Sequence, residues 1–138
     1  MAKKIDAYVD TSALIAFLDR SDTYHKLFAR LFAAPVGLIT TSLVINEGHA
    51  WFLRRYDIHR AMEFICFIED FSKHLTIVPI GLKELDESYY YIRKFSDQKL
   101  TLVDAVGLHL MESRKIRECW STDHHLSLTG ATLVINDN

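Results

Sequence analysis

Short apolar runs alternate with stretches of helical periodicity along almost the whole chain, and this restricts the fold more than any other feature. Ile5 to Val9 predicts a strand, Ser12 to Arg20 a helix, and Thr23 to Ala34 a second helix ended by Pro35. Gly37 to Thr40 predicts a short strand. Ser42 is placed to cap a helix running to about Tyr56, and helix resumes from Ile58 to Lys73 after a break near Asp57. Leu75 to Pro79, rich in β-branched residues, predicts a strand, and Leu82 to Phe95 a helix. Thr101 opens a helix ending near Arg114, and strands follow at Glu118 to Thr122 and Thr132 to Ile135. Such alternation predicts an α/β fold whose parallel sheet is covered by helices on both faces. With 138 residues, 5 glycines and 2 prolines, there is room for one domain, residues 1–138, and no linker.

In an open parallel sheet, ligands bind outside the carboxyl ends of the strands. Asp10 stands at the end of the first strand and Asp123 directly after the Glu118 to Thr122 strand, so two acids reach that rim. Glu47 shares a helical face with Leu43 and Trp51, a stripe expected to face the core. A carboxylate there is unfavourable unless paired or coordinated. Asp104 lies in Leu102-Val103-Asp104-Ala105-Val106, on a helix that is apolar nearly all round. Each acid also has an ordinary structural use. Asp10 fits a helix cap, Asp104 a capping box with Thr101, Asp123 a turn, and Glu47 a polar pocket. The ordinary readings do not explain why all four fall on the rim or on inward-facing helix positions.

Two unit charges 4 Å apart repel by roughly 4 kcal/mol at an effective dielectric near 20. Carboxylates converging on one cleft must therefore take up protons or bind cations. Oxygen donors without cysteine or well-placed histidine suit Mg²⁺ or Mn²⁺ better than zinc. Such a cation can hold a phosphate and lower the pKa of a bound water. Lys plus Arg is 16 and Asp plus Glu 18, a net charge of −2, so no global basic field draws nucleic acid to the chain.

Four segments resemble the motifs of PIN domains, above all the VapC-type toxins of toxin–antitoxin pairs. Val9-Asp10-Thr11-Ser12-Ala13-Leu14 resembles the first motif, and Thr40-Thr41-Ser42-Leu43-Val44-Ile45-Asn46-Glu47 the second. Asp97-Gln98-Lys99-Leu100-Thr101-Leu102-Val103-Asp104-Ala105 is similar to the third. Ser121-Thr122-Asp123-His124-His125-Leu126, with Gly130 after it, is similar to the fourth. Order and spacing agree over nearly the whole chain. The resemblance implies a Rossmann-like three-layer α/β/α domain and Mg²⁺- or Mn²⁺-dependent hydrolysis of RNA. It implies that Asp10, Asp104 and Asp123 are metal ligands and that Glu47 is a ligand or orients the attacking water. Thr11, Ser12 or Thr122 would support the carboxylates by hydrogen bonds. A cognate antitoxin and a homodimer are the implied partners. Leu126 stands where the family commonly has an aromatic residue, and residues 57–96 match no motif, which makes them the place to expect substrate choice.

A haloacid-dehalogenase-like phosphatase needs an Asp where Ser12 stands, and a response-regulator receiver needs paired acids at its first strand. A PIN-like module that binds RNA or a partner without hydrolysis is the alternative, and the presence of all four acids favours the enzyme. His124 and His125 are expected to be solvated loop residues, because neighbouring side chains usually diverge. His49 and His109 lack a ligand partner at i+4. Cys66 and Cys119, outside any C-x-x-C pair, are expected to be free, buried thiols of a reducing cytosol. Asp6 and Asp10 interrupt any signal-like apolar run after Lys3 and Lys4, and no stretch is long enough to span a bilayer. A cytoplasmic protein is the expectation.

Overall fold

In the computed structural model, residues 4–34 and 36–137 are described. The readings of Met1 to Lys3 and of Pro35 as a helix terminator lie outside them. The elements, in chain order, are β1 (Ala7–Val9), α1 (Thr11–Leu18), α2 (His25–Ala33), β2 (Leu38–Thr41), α3 (Ser42–Arg55), α4 (Ile58–Asp70) and β3 (Leu75–Val78). They continue with α5 (Leu82–Lys94), α6 (Leu102–Ser113), β4 (Glu118–Trp120), a 3-10 turn at His124–Ser127, β5 (Thr132–Leu133) and a 3-10 turn at Val134–Asp137. All five strands are parallel, in the order β3-β2-β1-β4-β5. Helices α1 to α4 pack on one another and α5 packs on α6, giving the expected α/β/α architecture.

Strand β1 and the start of β2, at the centre of the sheet, are hydrophobic on both faces because both faces are covered. Ala7, Tyr8, Val9, Leu38 and Ile39 are all essentially inaccessible. An aromatic cluster of Phe17, Phe28, Phe32, Phe67, Phe71 and Trp120 joins α1, α2 and α4 to β4. At the end of α1, Asp19 accepts from the Ser21 N–H and hydroxyl and from the Tyr56 hydroxyl, which ties α1 to the end of α3.

Several element ends differ from the sequence reading for identifiable reasons. Thr41, not Ser42, caps α3, since its hydroxyl accepts from the Val44 N–H. The Ser42 hydroxyl instead accepts from Ile80 N–H, fastening the turn after β3. Strand β4 stops at Trp120 because Ser121 and Thr122 turn toward Ser12. Asp57 does mark a break, and its carboxylate accepts from the Arg60 N–H to start α4. Cys119 is buried, but Cys66 is exposed, which corrects the expectation of two buried thiols. On α4 the buried residues are Ala61, Phe64 and Ile68, and Cys66 falls on the other side of that period.

Helices α3 and α4 approach closely because Gly48 lacks a side chain. A Cβ there would lie 2.4 Å from Cζ of Phe64, a fully buried ring. Gly48→Ala would gain up to about 1 kcal/mol in helix propensity but overpack the contact by about 1–3 kcal/mol. A net loss of stability is expected in urea denaturation, and a more stable alanine variant would show that the Phe64 ring can retreat.

Candidate active site

The strand order reverses between β1 and β4, the topological switch point where a crevice opens at the carboxyl ends. Both strands deliver side chains there. The Asp10 N–H donates to the Trp120 carbonyl at 3.0 Å, prolonging the β1–β4 pairing to the rim. Asp10 is only 4% exposed. It occupies the position before α1, yet its side chain makes no capping hydrogen bond. Its Oδ2 instead accepts from the Ser12 hydroxyl at 2.8 Å and the Ser121 hydroxyl at 2.9 Å. Ser12 Oγ also accepts from the Thr122 N–H, and Ser121 Oγ from the Asp123 N–H. The loops after β1 and β4 are thereby locked together around one carboxylate.

Asp104 is 8% exposed at the start of α6. The capping box expected from Thr101 is present: Thr101 Oγ1 accepts from the Asp104 N–H, and Asp104 Oδ2 accepts from the Thr101 N–H at 3.4 Å. Asp123 also plays its local part, its Oδ1 accepting from the His125 N–H at 3.0 Å. Structural use and membership of the cluster are thus not exclusive. Glu47 is half-buried, but for a different reason from the one its neighbours suggested. The core face of α3 is Val44, Gly48 and Phe52, and Glu47 lies at its margin.

Electrostatics ties the four acids together. Burial pushes the Asp10 carboxyl up to about 6, the charge of Asp104 adds to this, and the Ser12 and Ser121 hydroxyls oppose it. Burial also holds Asp104 above the ordinary range, with the charge of Asp123 next and that of Glu47 a smaller addition, against the Thr101 hydrogen bonds. These are carboxylates held where their ionised forms are unfavourable without a counter-ion.

One oxygen from each of Asp104 and Asp123 and one ring nitrogen of His125 lie within 4.8 Å of one another. His125 Nδ1 is 3.2 Å from Asp123 Oδ1 and 3.9 Å from Asp104 Oδ2. The expectation of a solvated loop histidine therefore holds for the exposed His124 but not for His125. Sequence reasoning also passed over Ser121, whose hydroxyl meets Asp10, while Thr122 contributes its backbone N–H. Thr11 Oγ1 is buried with no hydrogen-bond partner among the described residues. A set of hard oxygen donors, with Asp10 and Asp104 held above their ordinary pKa and a single nitrogen beside them, is chemically suited to a divalent cation such as Mg²⁺ or Mn²⁺.

Fold and site together define a doubly wound α/β/α domain with an acidic cleft at its switch point. A family model for the PIN domain matches residues 7–131, and the chain belongs to the PIN-domain family. Among solved structures it is similar to the toxin VapC20 of Mycobacterium tuberculosis, described as cleaving the sarcin-ricin loop. That pair shares 20% identity over 91% of this chain and 96% of the other, with a TM-score of 0.81. It is also similar to a Pyrobaculum aerophilum protein, at 20% identity, TM-score 0.60 and coverage of 96% and 91%. A third likeness is to a toxin–antitoxin complex from Klebsiella pneumoniae, at 18% identity, TM-score 0.60 and coverage of 93% and 95%. No curated protein matches the chain. At these identities the structural likenesses speak for the fold.

Proposed function

We propose that the chain is a metal-dependent endoribonuclease that hydrolyses RNA phosphodiester bonds and acts as the toxin of a toxin–antitoxin pair. The observation that carries this reading is the coupled cluster of Asp10, Asp104, Asp123 and Glu47 at the switch point, with Asp10 and Asp104 held above their ordinary pKa. Asp10, Asp104 and Asp123 would hold Mg²⁺ or Mn²⁺, with Glu47 as a further ligand or as the group that orients the attacking water. Ser12 and Ser121 hold Asp10 in one orientation. When bound, the cation supplies a polarised phosphate, an acidified water and stabilisation of the leaving oxygen.

Family membership and the likeness to toxin structures support the RNA substrate and the antitoxin partner. An antitoxin can silence such a cleft by filling it with Arg or Lys, whose charge replaces the cation. Leu53, Ile58 and Met62, exposed around the α3–α4 junction, suit cover by a partner protein or a second copy. No helix among the described residues is long and apolar enough to cross a membrane, in keeping with a cytoplasmic site of action.

The test is incubation of the purified chain with total cellular RNA, in Mg²⁺, in Mn²⁺ and in chelator. Discrete cleavage is expected with metal and none in chelator. Binding should weaken with salt and with metal removal, since a net charge of −2 gives little background attraction. RNA binding that is equal with and without chelator, with no cleavage, would point to the non-catalytic binding module instead.

A further inference from the structure

We infer that His125, through Nδ1, is a ligand of the same cation as Asp104 and Asp123. The inference rests on the metal-dependent reading above and adds a donor that the four-acid site does not contain. Its first support is distance. Donors bound at about 2.1 Å in octahedral geometry lie about 3.0 Å apart when adjacent. His125 Nδ1 lies 3.2 Å from Asp123 Oδ1, close to that spacing, and 3.9 Å from Asp104 Oδ2.

The second support is how the ring is held. Asp123 heads the 3-10 turn, and its Oδ1 accepts from the His125 N–H, which folds residue 125 back over residue 123. Leu126, next in the turn, is fully buried. It seats against α6 because Gly107 has no side chain: a Cβ at Gly107 would stand 3.1 Å from Leu126 Cδ1 and 2.8 Å from the Tyr8 hydroxyl. The turn is thus pressed onto α6 one turn from Asp104, and the His125 side chain is left only 21% exposed.

The third support is charge. Asp104 already carries the repulsion of Asp123 and Glu47. A neutral imidazole adds a donor without adding to that repulsion, whereas another carboxylate would increase it. Imidazole nitrogen also suits transition metals better than Mg²⁺. The site should therefore favour Mn²⁺ over Mg²⁺, and by more than oxygen donors alone would give.

Electron spin-echo measurements on the full chain loaded with Mn²⁺ test this directly. Unlabelled protein should show ¹⁴N modulation, replaced by ¹⁵N coupling when histidine is ¹⁵N-labelled. The coupling should vanish in His125→Gln and persist in His124→Gln. Mn²⁺ affinity should fall at least about 10-fold in His125→Gln, with Mg²⁺ affinity much less changed. Bound Mn²⁺ without nitrogen coupling, or coupling that survives His125→Gln, would overturn the assignment and leave the acidic metal site standing. Failure of the wild-type chain to bind Mn²⁺ at all would overturn both. The labelled wild-type measurement needs no variant, so a misfolded substitution does not blunt the test.

Discussion

Asp10→Asn is expected to abolish RNA cleavage while making the metal-free protein more stable at neutral pH. The stability argument runs from burial. The folded carboxyl sits at about 6, against about 3.9 for an exposed Asp. The folded state therefore holds the proton more tightly than the unfolded state. That contribution is complete below about pH 3.9 and is lost as pH rises through about 6. By pH 7.5 the metal-free protein buries an ionised Asp10 at a relative cost of about 3 kcal/mol. Asn removes the charge and can still accept from the Ser12 and Ser121 hydroxyls through its amide oxygen. In chelator at pH 7.5, the variant should melt up to about 10 °C above the wild type, with the gap closing toward pH 4. Cleavage should fall by more than about 100-fold, since even outer partners of metal ligands cost about 10- to 100-fold. Melting curves that share one pH dependence would show that Asp10 does not carry the buried charge.

Asp104→Asn should separate the two uses of a single side chain. Asn can still accept from the Thr101 N–H, and Thr101 Oγ1 still accepts from the residue 104 N–H, so α6 keeps its start. What disappears is a negative charge that burial, Asp123 and Glu47 all disfavour. Metal-free stability should hold or rise. The response to cation should collapse. At a metal concentration 100 times the dissociation constant, binding stabilises by about 2.7 kcal/mol, and a 100-fold weaker site retains only about 0.4 kcal/mol. Thermal unfolding of both proteins with and without Mn²⁺ measures this, with an RNA cleavage assay alongside. If Asp104 were a capping residue and nothing more, both the metal response and the activity would survive, and the site would lose one of its central members.

These substitutions act on residues that the sequence itself makes legible. Asp10, Glu47, Asp104 and Asp123 stand in recognisable motifs, and the alternation of short apolar strands with helices specified a parallel sheet covered on both faces. Periodicity also places Cys66. Cys66 lies two positions from the buried Phe64 on α4, which in a helix points it away from the core. Glu47 shows the limit of the same argument. Its neighbours at i±4, Leu43 and Trp51, are apolar, but the face that α3 buries runs through Val44, Gly48 and Phe52.

What only the tertiary structure decided is the pairing of distant segments. Ser121 meets Asp10 across 111 positions because β4 inserts beside β1 and reverses the strand order there. Nothing local to either strand specifies that neighbour. His125 looked like a loop residue until the Asp123 turn folded it back and Gly107 let Leu126 seat the turn against α6. A sequence determines local periodicity, caps and turns through contacts between near neighbours. Which carboxylate, hydroxyl or imidazole shares a cleft is set by sheet order and by close packing between elements, and those are decided only when the whole chain buries its apolar surface at once.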